Sequence, residues 1–338
     1  MKPPTLLLLL LPPGTLAASR TTPPSPSCLI VTKSPTSSTH HRTLTAALTA
    51  LAKDTTTTPK CVFLHPGVYA EQVSIPSSLR TSLLSIYGST TDTTTYKSNT
   101  VTLTSSLAQA HGLSNDQTGT LRVPGKIGGV RVYNVDVVNG YGKGSQAVAV
   151  SAQGDLGMYG CRLEGWQDTV LANEGRQVFV GGAVVGVTDF VFGRRGRAWF
   201  ERCDIGVLES SVGYITASGR ESASTSNFFV INNSNVSAAP GQRVAKGSYY
   251  LGRPWGEYAQ VVFQRTYLSD VINGAGWRIW NTGDERTKNV LFGEYGNTGP
   301  GASGTRASFS KKLSAPVTME AVLGSGFASA AFYDAEYF

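Results

Sequence analysis

The sequence has 338 residues, of which 15% are charged and 41% hydrophobic, so wholesale disorder is excluded and the chain can bury a sizeable core. Lys and Arg number 29 against 22 Asp and Glu, a net charge of +7, and no run of like charges forms a basic tail. The positive charge fits either solubility alone or a polyanionic partner, such as nucleic acid, an acidic lipid surface or an acidic polysaccharide.

The first residues have the pattern of a secretory signal peptide. Lys2 precedes a leucine run at residues 6–11, and small residues follow at 17–19, which is the order of a positive region, an apolar region and a cleavage site. We therefore predict a signal peptide over residues 1–18 and a secreted, extracellular protein. The apolar run is too short for a membrane anchor and no later stretch is long enough to span a bilayer, so no membrane association is predicted.

After the signal peptide, a short linker is predicted at residues 19–27, which are rich in Ser, Thr and Pro, and a single domain at 28–338. Leucines on one helical face predict a short N-terminal helix within residues 43–53. An all-β fold is predicted for the remainder, because short apolar segments occur at residues 62–64, 83–87, 101–103, 130–138, 147–150, 190–192, 228–231 and 260–263.

A faint internal repeat indicates how these strands are arranged. Similar hexapeptides begin at Tyr133, Tyr159, Val180, Glu201 and Ile231, at offsets of 26, 21, 21 and 30 residues. A repeat of this length predicts the stacked coils of a parallel β-helix, in which each coil pairs with the coils above and below. The alternative is a β-sandwich, but that fold needs hairpin turns about every 8–12 residues, and few hairpin sequences are present.

Secretion makes the four cysteines potential disulfides, and their spacing has no zinc signature. Cys161 and Cys203 are 42 residues apart, which is two coils of 21. Two coils span about 9.6 Å, more than the ~7 Å between Cα atoms that a disulfide tolerates. We therefore predict that these two are buried free thiols. Cys28 and Cys61 each open an apolar segment that fits the first strand of a neighbouring coil, so a disulfide between them is predicted.

Four polar side chains recur at the coil period. Gln146 and Gln167 are 21 residues apart, as are Asp168 and Asp189, so on a β-helix they lie on one face in coils about 4.8 Å apart. Two carboxylates at this range do not both ionise easily, so the pair offers a nucleophile or base together with an acid. The amides could then hold a developing oxyanion. Alternatively, such a ladder stabilises β-helix turns without any chemistry.

Longer sequence blocks carry a family resemblance. In chain order they are Gly-Val-Tyr-Ala-Glu at 67–71, Gly-Ser-Gln-Ala-Val-Ala at 144–149, Gly-Trp-Gln-Asp-Thr at 165–169, Gly-Val-Thr-Asp-Phe-Val-Phe-Gly at 186–193, Tyr-Leu-Gly-Arg-Pro-Trp at 250–255 and Phe-Gly-Glu-Tyr-Gly-Asn-Thr-Gly at 292–299. Over residues 28–338 the chain resembles the pectin methylesterases, or pectinesterases, and the last block resembles their fungal branch. The resemblance implies a right-handed parallel β-helix that hydrolyses methyl esters of pectin, releasing methanol and pectate.

The same resemblance implies a role for each member of the ladder. Asp189 matches the nucleophile, which attacks the ester carbonyl of a galacturonate unit. Asp168 matches the general acid that protonates methanol and then the base that activates water. Gln146 matches the main oxyanion donor, with Gln167 assisting. Arg253 matches the guanidinium that keeps the nucleophile ionised and oriented, and it would also contact substrate.

Further implications concern the substrate and its surroundings. Trp255 matches an aromatic wall for a sugar ring, and Phe190 is a second, weaker candidate for substrate binding. The implied partner is methyl-esterified homogalacturonan; no nucleic acid partner, metal or organic cofactor is implied, and a monomer is expected. The chain departs from the family pattern at Trp166, where Tyr is usual, and at Arg194 and Arg195, where small or polar residues are usual.

Two other kinds of protein compete with this prediction. The first is another pectin-active β-helix, either a polygalacturonase, which would need further paired Asp motifs and a nearby His, or a lyase, which would need a carboxylate cluster around calcium. The second is an inactive carbohydrate-binding β-helix, against which the retention of both Asp residues argues. Methanol release, reducing ends or unsaturated product would separate the three activities from simple binding.

Overall fold

A computed structural model describes residues 18–338, in which the chain coils repeatedly through three parallel sheets. Each full coil contributes one strand to each sheet, and every strand pairs in parallel with the strands of neighbouring coils. The predicted all-β, parallel β-helix is confirmed. Apart from Ala18, the predicted signal peptide at residues 1–18 lies outside the described residues.

The three sheets are named A, B and C, and the strands below are those of residues 18–338 in spatial order. Sheet A contains His40–His41, Leu29–Val31, Lys60–Leu64, Leu84–Gly88, Val130–Tyr133, Leu156–Tyr159, Arg176–Val180, Arg197–Glu201, Phe228–Asn232, Gln260–Gln264, Leu291–Tyr295 and Ser310–Lys312. Sheet B contains Tyr267–Leu268, Asn235–Ala238, Asp204–Val207, Ala183–Gly186, Arg162–Glu164, Asp136–Asn139, Val101–Ser105 and Gly67–Ala70. Sheet C contains Tyr249–Gly252, Gly213–Ser218, Thr188–Gly193, Val170–Ala172, Val150–Ala152, Leu121–Val123 and Val73–Ser74.

Short helices lie at the ends of the coils and in the loops. The α-helices are α1 at Leu44–Leu51, α2 at Asn115–Thr118 and α3 at Met319–Leu323. Single 3₁₀ turns occur at Tyr96–Ser98, Gln109–His111, Pro300–Ala302, Phe327–Ser329 and Ala335–Tyr337. Among the described residues, no helix is both long enough and apolar enough to cross a membrane.

The turn from sheet A to sheet B requires a left-handed backbone. The residue after the sheet A strand has a positive φ in seven coils, at Asn134, Gly160, Gly181, Arg202, Asn233, Arg265 and Gly296. Gly and Asn enter this region at low cost and account for five of the seven positions, whereas Arg202 and Arg265 adopt the same conformation at a higher cost. The prediction of one strand at 130–138 is therefore wrong. Asn134, at φ 52°, divides this segment into a strand of sheet A and a strand of sheet B.

Strand pairing supports four of the five repeat positions. Tyr133 pairs with Tyr159, Tyr159 with Val180, and Val180 with Glu201. The fifth position is wrong by one residue, because Glu201 pairs with Asn232 rather than with Ile231. The offset of that coil is 31 residues because it carries a longer excursion before its sheet A strand.

The core runs along the axis of the coils, and α1 covers its N-terminal end. The inward-facing residues are mainly Val, Ile, Leu and Phe, and they form one continuous cluster. Helix α1 begins after Thr43, whose side chain accepts a hydrogen bond from the Ala46 N–H at 3.1 Å. The Glu71 carboxylate accepts further bonds from the N–H groups of Leu44 and Thr45, at 2.8 and 3.0 Å. Such carboxylates stabilise helix N-termini, so Glu71 has a structural role.

The predicted linker begins with residues that contact the β-helix. The Arg20 N–H donates to the Thr90 carbonyl at 2.9 Å, and its guanidinium lies over the rings of Tyr87 and Tyr133. The C-terminal segment returns to the same face of sheet A, where the Tyr133 hydroxyl donates to Asp334 at 2.6 Å. Both ends of the described chain are therefore packed against the outer surface of sheet A.

Cys28 and Cys61 are joined in a disulfide, with Cα atoms 4.6 Å apart, whereas Cys161 and Cys203 are buried free thiols. Gly182 lies between the two free thiols, since its carbonyl accepts from Asp204 and its neighbour Ala183 donates to the Cys161 carbonyl. The coil that separates the two thiols is therefore the one that the sequence spacing predicts.

Peptide mapping of the denatured, unreduced protein should give one disulfide-linked peptide pair, containing Cys28 and Cys61, and two alkylatable thiols. Replacing Cys28 with Ser should lower the free energy of unfolding by about 2–4 kcal/mol, because the bond closes a loop of about thirty residues. Replacing Cys203 with Ala is the matched control that leaves the bond intact. A linked peptide of Cys161 and Cys203 would contradict the coil register.

Candidate active site

The outer face of sheet C carries the predicted ladder at the point where its strands begin. Asp168 lies two residues before Val170–Ala172, and Asp189 is the second residue of the neighbouring strand Thr188–Gly193. The Asp168 N–H donates to the Thr188 carbonyl at 3.1 Å, and Gln167 forms a bridge with Thr188. The two aspartates therefore lie side by side in adjacent coils, as the 21-residue spacing predicts.

Both aspartates have an unusual backbone. Their φ angles are 69° for Asp168 and 52° for Asp189, in the left-handed region that non-glycine residues rarely occupy. At Asp189 the pairing offset to the next strand changes from 26 residues at Thr188 to 25 at Val191, which marks a β-bulge. Bulges redirect side chains, and backbone strain of this kind is concentrated at functional sites. The local conformation turns both carboxyl groups away from the core.

Asp189 forms a bidentate ion pair with Arg253. The Arg253 Nε and Nη2 donate to the two carboxylate oxygens at 2.9 and 2.7 Å. The guanidinium lies between two aromatic rings, 4.2 Å from the centroid of Tyr214 and 4.4 Å from that of Trp280. A planar guanidinium stacks in this way while its edge still donates hydrogen bonds. Stacking on the two rings and the hydrogen bonds along one edge therefore fix the orientation of the Arg253 guanidinium.

Asp168 has a weaker, neutral partner. The Asn115 side-chain amide donates to an Asp168 carboxyl oxygen at 3.3 Å, and the Gln109 amide donates to Asn115 Oδ1 at 2.6 Å. Asn115 is the first residue of α2, whose Ser114 N-cap fixes the start of the helix. Neither Asn115 nor Gln109 was predicted from the sequence. The Ser-Asn-Asp-Gln capping pattern signals a helix start, but nothing in it indicates which residue faces a distant carboxyl group.

The electrostatics of the two carboxyl groups differ because only one has a cationic partner. Burial raises the pKa of Asp168 well above its usual range, and the charge of Asp189 raises it further. Burial also raises the pKa of Asp189, but the hydrogen bonds and charge of Arg253 oppose that rise. Each residue is only 6% exposed. The arrangement favours a protonated Asp168 beside an ionised Asp189, which is a pairing of an acid with a nucleophile or base.

The carboxyl pair opens into a pocket of about 330 Å³. Its walls bring together the predicted Gln146, Gln167, Asp168, Asp189, Arg253 and Trp255 with Gln109, Asn115, Phe192, Ala217 and Trp280. Trp280 and Tyr214 were not predicted from the sequence, because each lies on a different coil from the motifs.

One predicted substrate contact is wrong. The side chain of Phe190 is fully buried in the axial core, because the bulge at Asp189 places Phe190 on the inward face. The aromatic residue that reaches the pocket is Phe192, two residues later, whose ring contacts Trp255 at a centroid distance of 6.1 Å. Across residues 18–338, no group of three or more His, Cys, Asp or Glu side chains has the arrangement of a metal site.

The chain is similar in sequence and in fold to known proteins. The Pectinesterase family profile matches residues 29–333. A pectinesterase of Aspergillus niger is 47% identical over 286 residues, covering 84% of this chain and 85% of that protein, and one of Aspergillus aculeatus is 45% identical over 300 residues, covering 88% of each. The crystal structure of the Aspergillus niger pectin methylesterase matches with a TM-score of 0.84 and 37% identity, covering 95% of this chain and 100% of that one. The right-handed parallel β-helix is shared.

Proposed function

We propose how the described site performs its reaction, starting from a premise that the comparisons establish: the chain belongs to the pectinesterase family and hydrolyses the methyl esters of pectin. The roles of individual residues are our proposal. The observation that carries it is the asymmetry of two adjacent buried carboxyl groups, one bound through two hydrogen bonds to Arg253 and the other without a cation.

In the first step, Asp189 acts as the nucleophile. Its ionised carboxylate attacks the ester carbonyl carbon of a galacturonate unit and forms an anhydride between enzyme and substrate. Arg253 keeps the carboxylate ionised in a buried site and fixes its oxygens in one plane, which orients the attack. Arg253 also lines the pocket, so it is positioned to contact substrate.

Asp168 acts as the general acid and then as the general base. Burial and the charge of Asp189 raise its pKa, so Asp168 keeps a proton at pH values where an ordinary Asp is ionised, and that proton goes to the departing methanol oxygen. The resulting carboxylate accepts the Asn115 N–H. In the second step, Asp168 removes a proton from water, which hydrolyses the anhydride and returns both carboxyl groups to their starting states.

Gln146 and Gln167 are proposed to donate to the negative oxygen of the tetrahedral intermediates. Both line the pocket in adjacent coils, next to the carboxyl pair. A neutral amide stabilises negative charge that develops during the reaction without binding the ground-state ester strongly.

Replacing Gln146 with Ala should lower kcat by about 10²–10³-fold with a small effect on KM, because an oxyanion donor acts mainly in the transition state. Steady-state methanol release from methyl-esterified homogalacturonan measures both constants. Replacing Gln242 with Ala is the matched control, because Gln242 follows the sheet B strand Asn235–Ala238 and does not line the pocket. A change in KM alone would contradict the oxyanion role of Gln146.

The experiment that tests the proposed function is an assay of three products from one polymer. Purified protein incubated with methyl-esterified homogalacturonan should release methanol, with no rise in reducing ends and no absorbance from unsaturated units. Reducing ends would indicate a polygalacturonase, unsaturated products a lyase, and binding without product an inactive carbohydrate-binding protein.

The setting of the reaction is also proposed. We infer that the protein is secreted and works extracellularly as a monomer on cell-wall pectin. The signal-peptide pattern at residues 1–18 and the Cys28–Cys61 disulfide support passage through an oxidising compartment. Expression with residues 1–18 intact should deliver mature protein to the medium, with an N-terminus at or next to Ser19.

A further inference from the structure

A second groove continues outward from the catalytic pocket. The two share four lining residues, Gln109, Asn115, Phe192 and Trp255. The second groove has a volume of about 570 Å³ and adds Ser114, Asp116, Gln153, Leu171, Asn173 and Arg194. We call it the distal groove. A polymer bound with one unit at the Asp pair can therefore place other units of the same chain in the distal groove.

Arg194 is the one cation among the residues that line the distal groove. It follows the strand Thr188–Gly193, and five residue steps of about 3.3 Å put its Cα at most about 16 Å from that of Asp189. Arg194 therefore lies at the opposite end of this strand from Asp189. Arg194 lines the distal groove and not the catalytic pocket, so it is placed to meet a unit other than the one that reacts.

The guanidinium of Arg194 rests on a fixed aromatic surface. Its central carbon lies 4.2 Å from the ring centroid of Trp255. The indole is itself held by Phe192 on one side and by Gly219, where an added Cβ would come within 2.5 Å of the ring. Stacking uses the face of a guanidinium and leaves its N–H groups in the plane free to donate.

Some of the in-plane N–H groups of Arg194 are free to bind a ligand. Its Nη1 donates to the Glu221 carboxylate, while Nε and Nη2 have no protein acceptor among residues 18–338. The side chain of Glu221 is 65% exposed and that of Arg194 43% exposed, so their ion pair is screened by solvent and weak. A second carboxylate can therefore compete for, or share, the guanidinium.

The other charges near the groove are already paired. Asp116, the anion among the lining residues, accepts hydrogen bonds from Arg122 and Ser151. Arg195, next in sequence, points to Glu174 and does not line the groove. The groove thus presents one available positive charge, held beside the indole of Trp255.

We propose that Arg194 binds the free carboxylate of a galacturonate unit beyond the reacting ester, so that partly de-esterified homogalacturonan binds better than the fully methyl-esterified polymer. This inference rests on the proposed function and adds a specificity determinant to it. A methyl ester has no negative charge and offers only weaker acceptors, so the contact discriminates between the two states of the distal unit. Products of earlier turnovers would therefore become better substrates for later ones.

The test compares KM for methanol release from two polymers of equal length, one fully methyl-esterified and one about half de-esterified. Arg194→Gln should raise the ratio of KM on the half-esterified polymer to KM on the full ester by roughly five- to twentyfold at low ionic strength. The difference should shrink strongly at about 0.5 M salt, where exposed charges are screened. Arg195→Gln is the matched control, and Glu221→Gln should shift the ratio in the opposite direction by freeing Arg194.

Calorimetric titration with unesterified oligogalacturonate gives a readout that does not depend on catalysis. Arg194→Gln should weaken its binding by a similar factor, and Arg195→Gln should not. Equal effects of the Arg194 and Arg195 variants, or an equal loss on both polymers, would overturn the proposal. Wild-type protein that releases no methanol would instead overturn the proposed function, and the binding contrast would still decide the role of Arg194.

Discussion

Replacing Asp189 with Asn should reduce methanol release by roughly 10⁴–10⁶-fold, which is the scale of losing a covalent nucleophile. The amide has nearly the same shape and can still accept one hydrogen bond from Arg253, but it does not attack an ester. The measurement is the initial rate of methanol release from methyl-esterified homogalacturonan at saturating substrate.

The fold of the Asp189→Asn variant should remain intact, because the strand Thr188–Gly193 pairs with both neighbouring strands through its backbone. Its far-ultraviolet circular dichroism should match that of the wild type. Asp270→Asn, at an exposed position in a distant loop, is the control that should retain full activity. Turnover within tenfold of the wild type in the Asp189 variant would overturn the mechanism.

Replacing Asp168 with Asn should lower the rate by about 10²–10⁴-fold, the usual contribution of a general acid and base. Methanol is a poor leaving group, so the first step suffers without the proton that Asp168 supplies. In the wild type, activity should fall at acid pH as Asp189 becomes protonated. It should fall again at alkaline pH as Asp168 loses its proton, since burial and Asp189 raise the pKa of Asp168. The Asp168 variant should lose the alkaline limb.

The same substitution should stabilise the protein at neutral pH. Because the pKa of Asp168 is higher in the folded state than in the unfolded state, its contribution to stability is fully present at acid pH and is lost as the pH rises through the folded pKa. Above the unfolded pKa, folding requires Asp168 to take up a proton, whereas Asn is neutral in both states, so the Tm of Asp168→Asn should exceed that of the wild type at pH 7 and approach it near pH 4. A lower Tm at both pH values would contradict the buried, uncompensated carboxyl group described above.

Much of the fold could be predicted because similar residues recur in the sequence at the length of one coil. Asp168 and Asp189 lie one coil apart at the 21-residue offset, and Cys161 and Cys203 lie two coils apart on either side of Gly182. Because the coils stack in parallel, residues that are one coil length apart in the sequence become neighbours in the structure. The prediction was less accurate where a coil lengthens, as between Glu201 and Asn232.

The remaining features depend on local backbone geometry and on contacts between distant coils. The sequence predicts that Phe190 contacts substrate, but a bulge beside Asp189 reverses the alternation of side chains and buries it. Asn115 reaches Asp168 from a loop helix more than fifty residues earlier. Trp280 reaches Arg253 from a loop after the last strand of sheet C. Neither contact has a periodic signal in the sequence.

The most direct test of the central claim, a covalent intermediate on Asp189, uses the Asp168→Asn variant with an activated ester of galacturonate oligomers, such as a trifluoroethyl ester. That leaving group departs without a proton, but water still needs the missing base, so the intermediate should accumulate. We expect a burst of about one alcohol per enzyme molecule, followed by slow turnover, and added mass on the peptide that contains Asp189. The double variant Asp168→Asn, Asp189→Asn should give no burst. A burst that persists in the double variant, or no burst in the single one, would contradict the covalent mechanism.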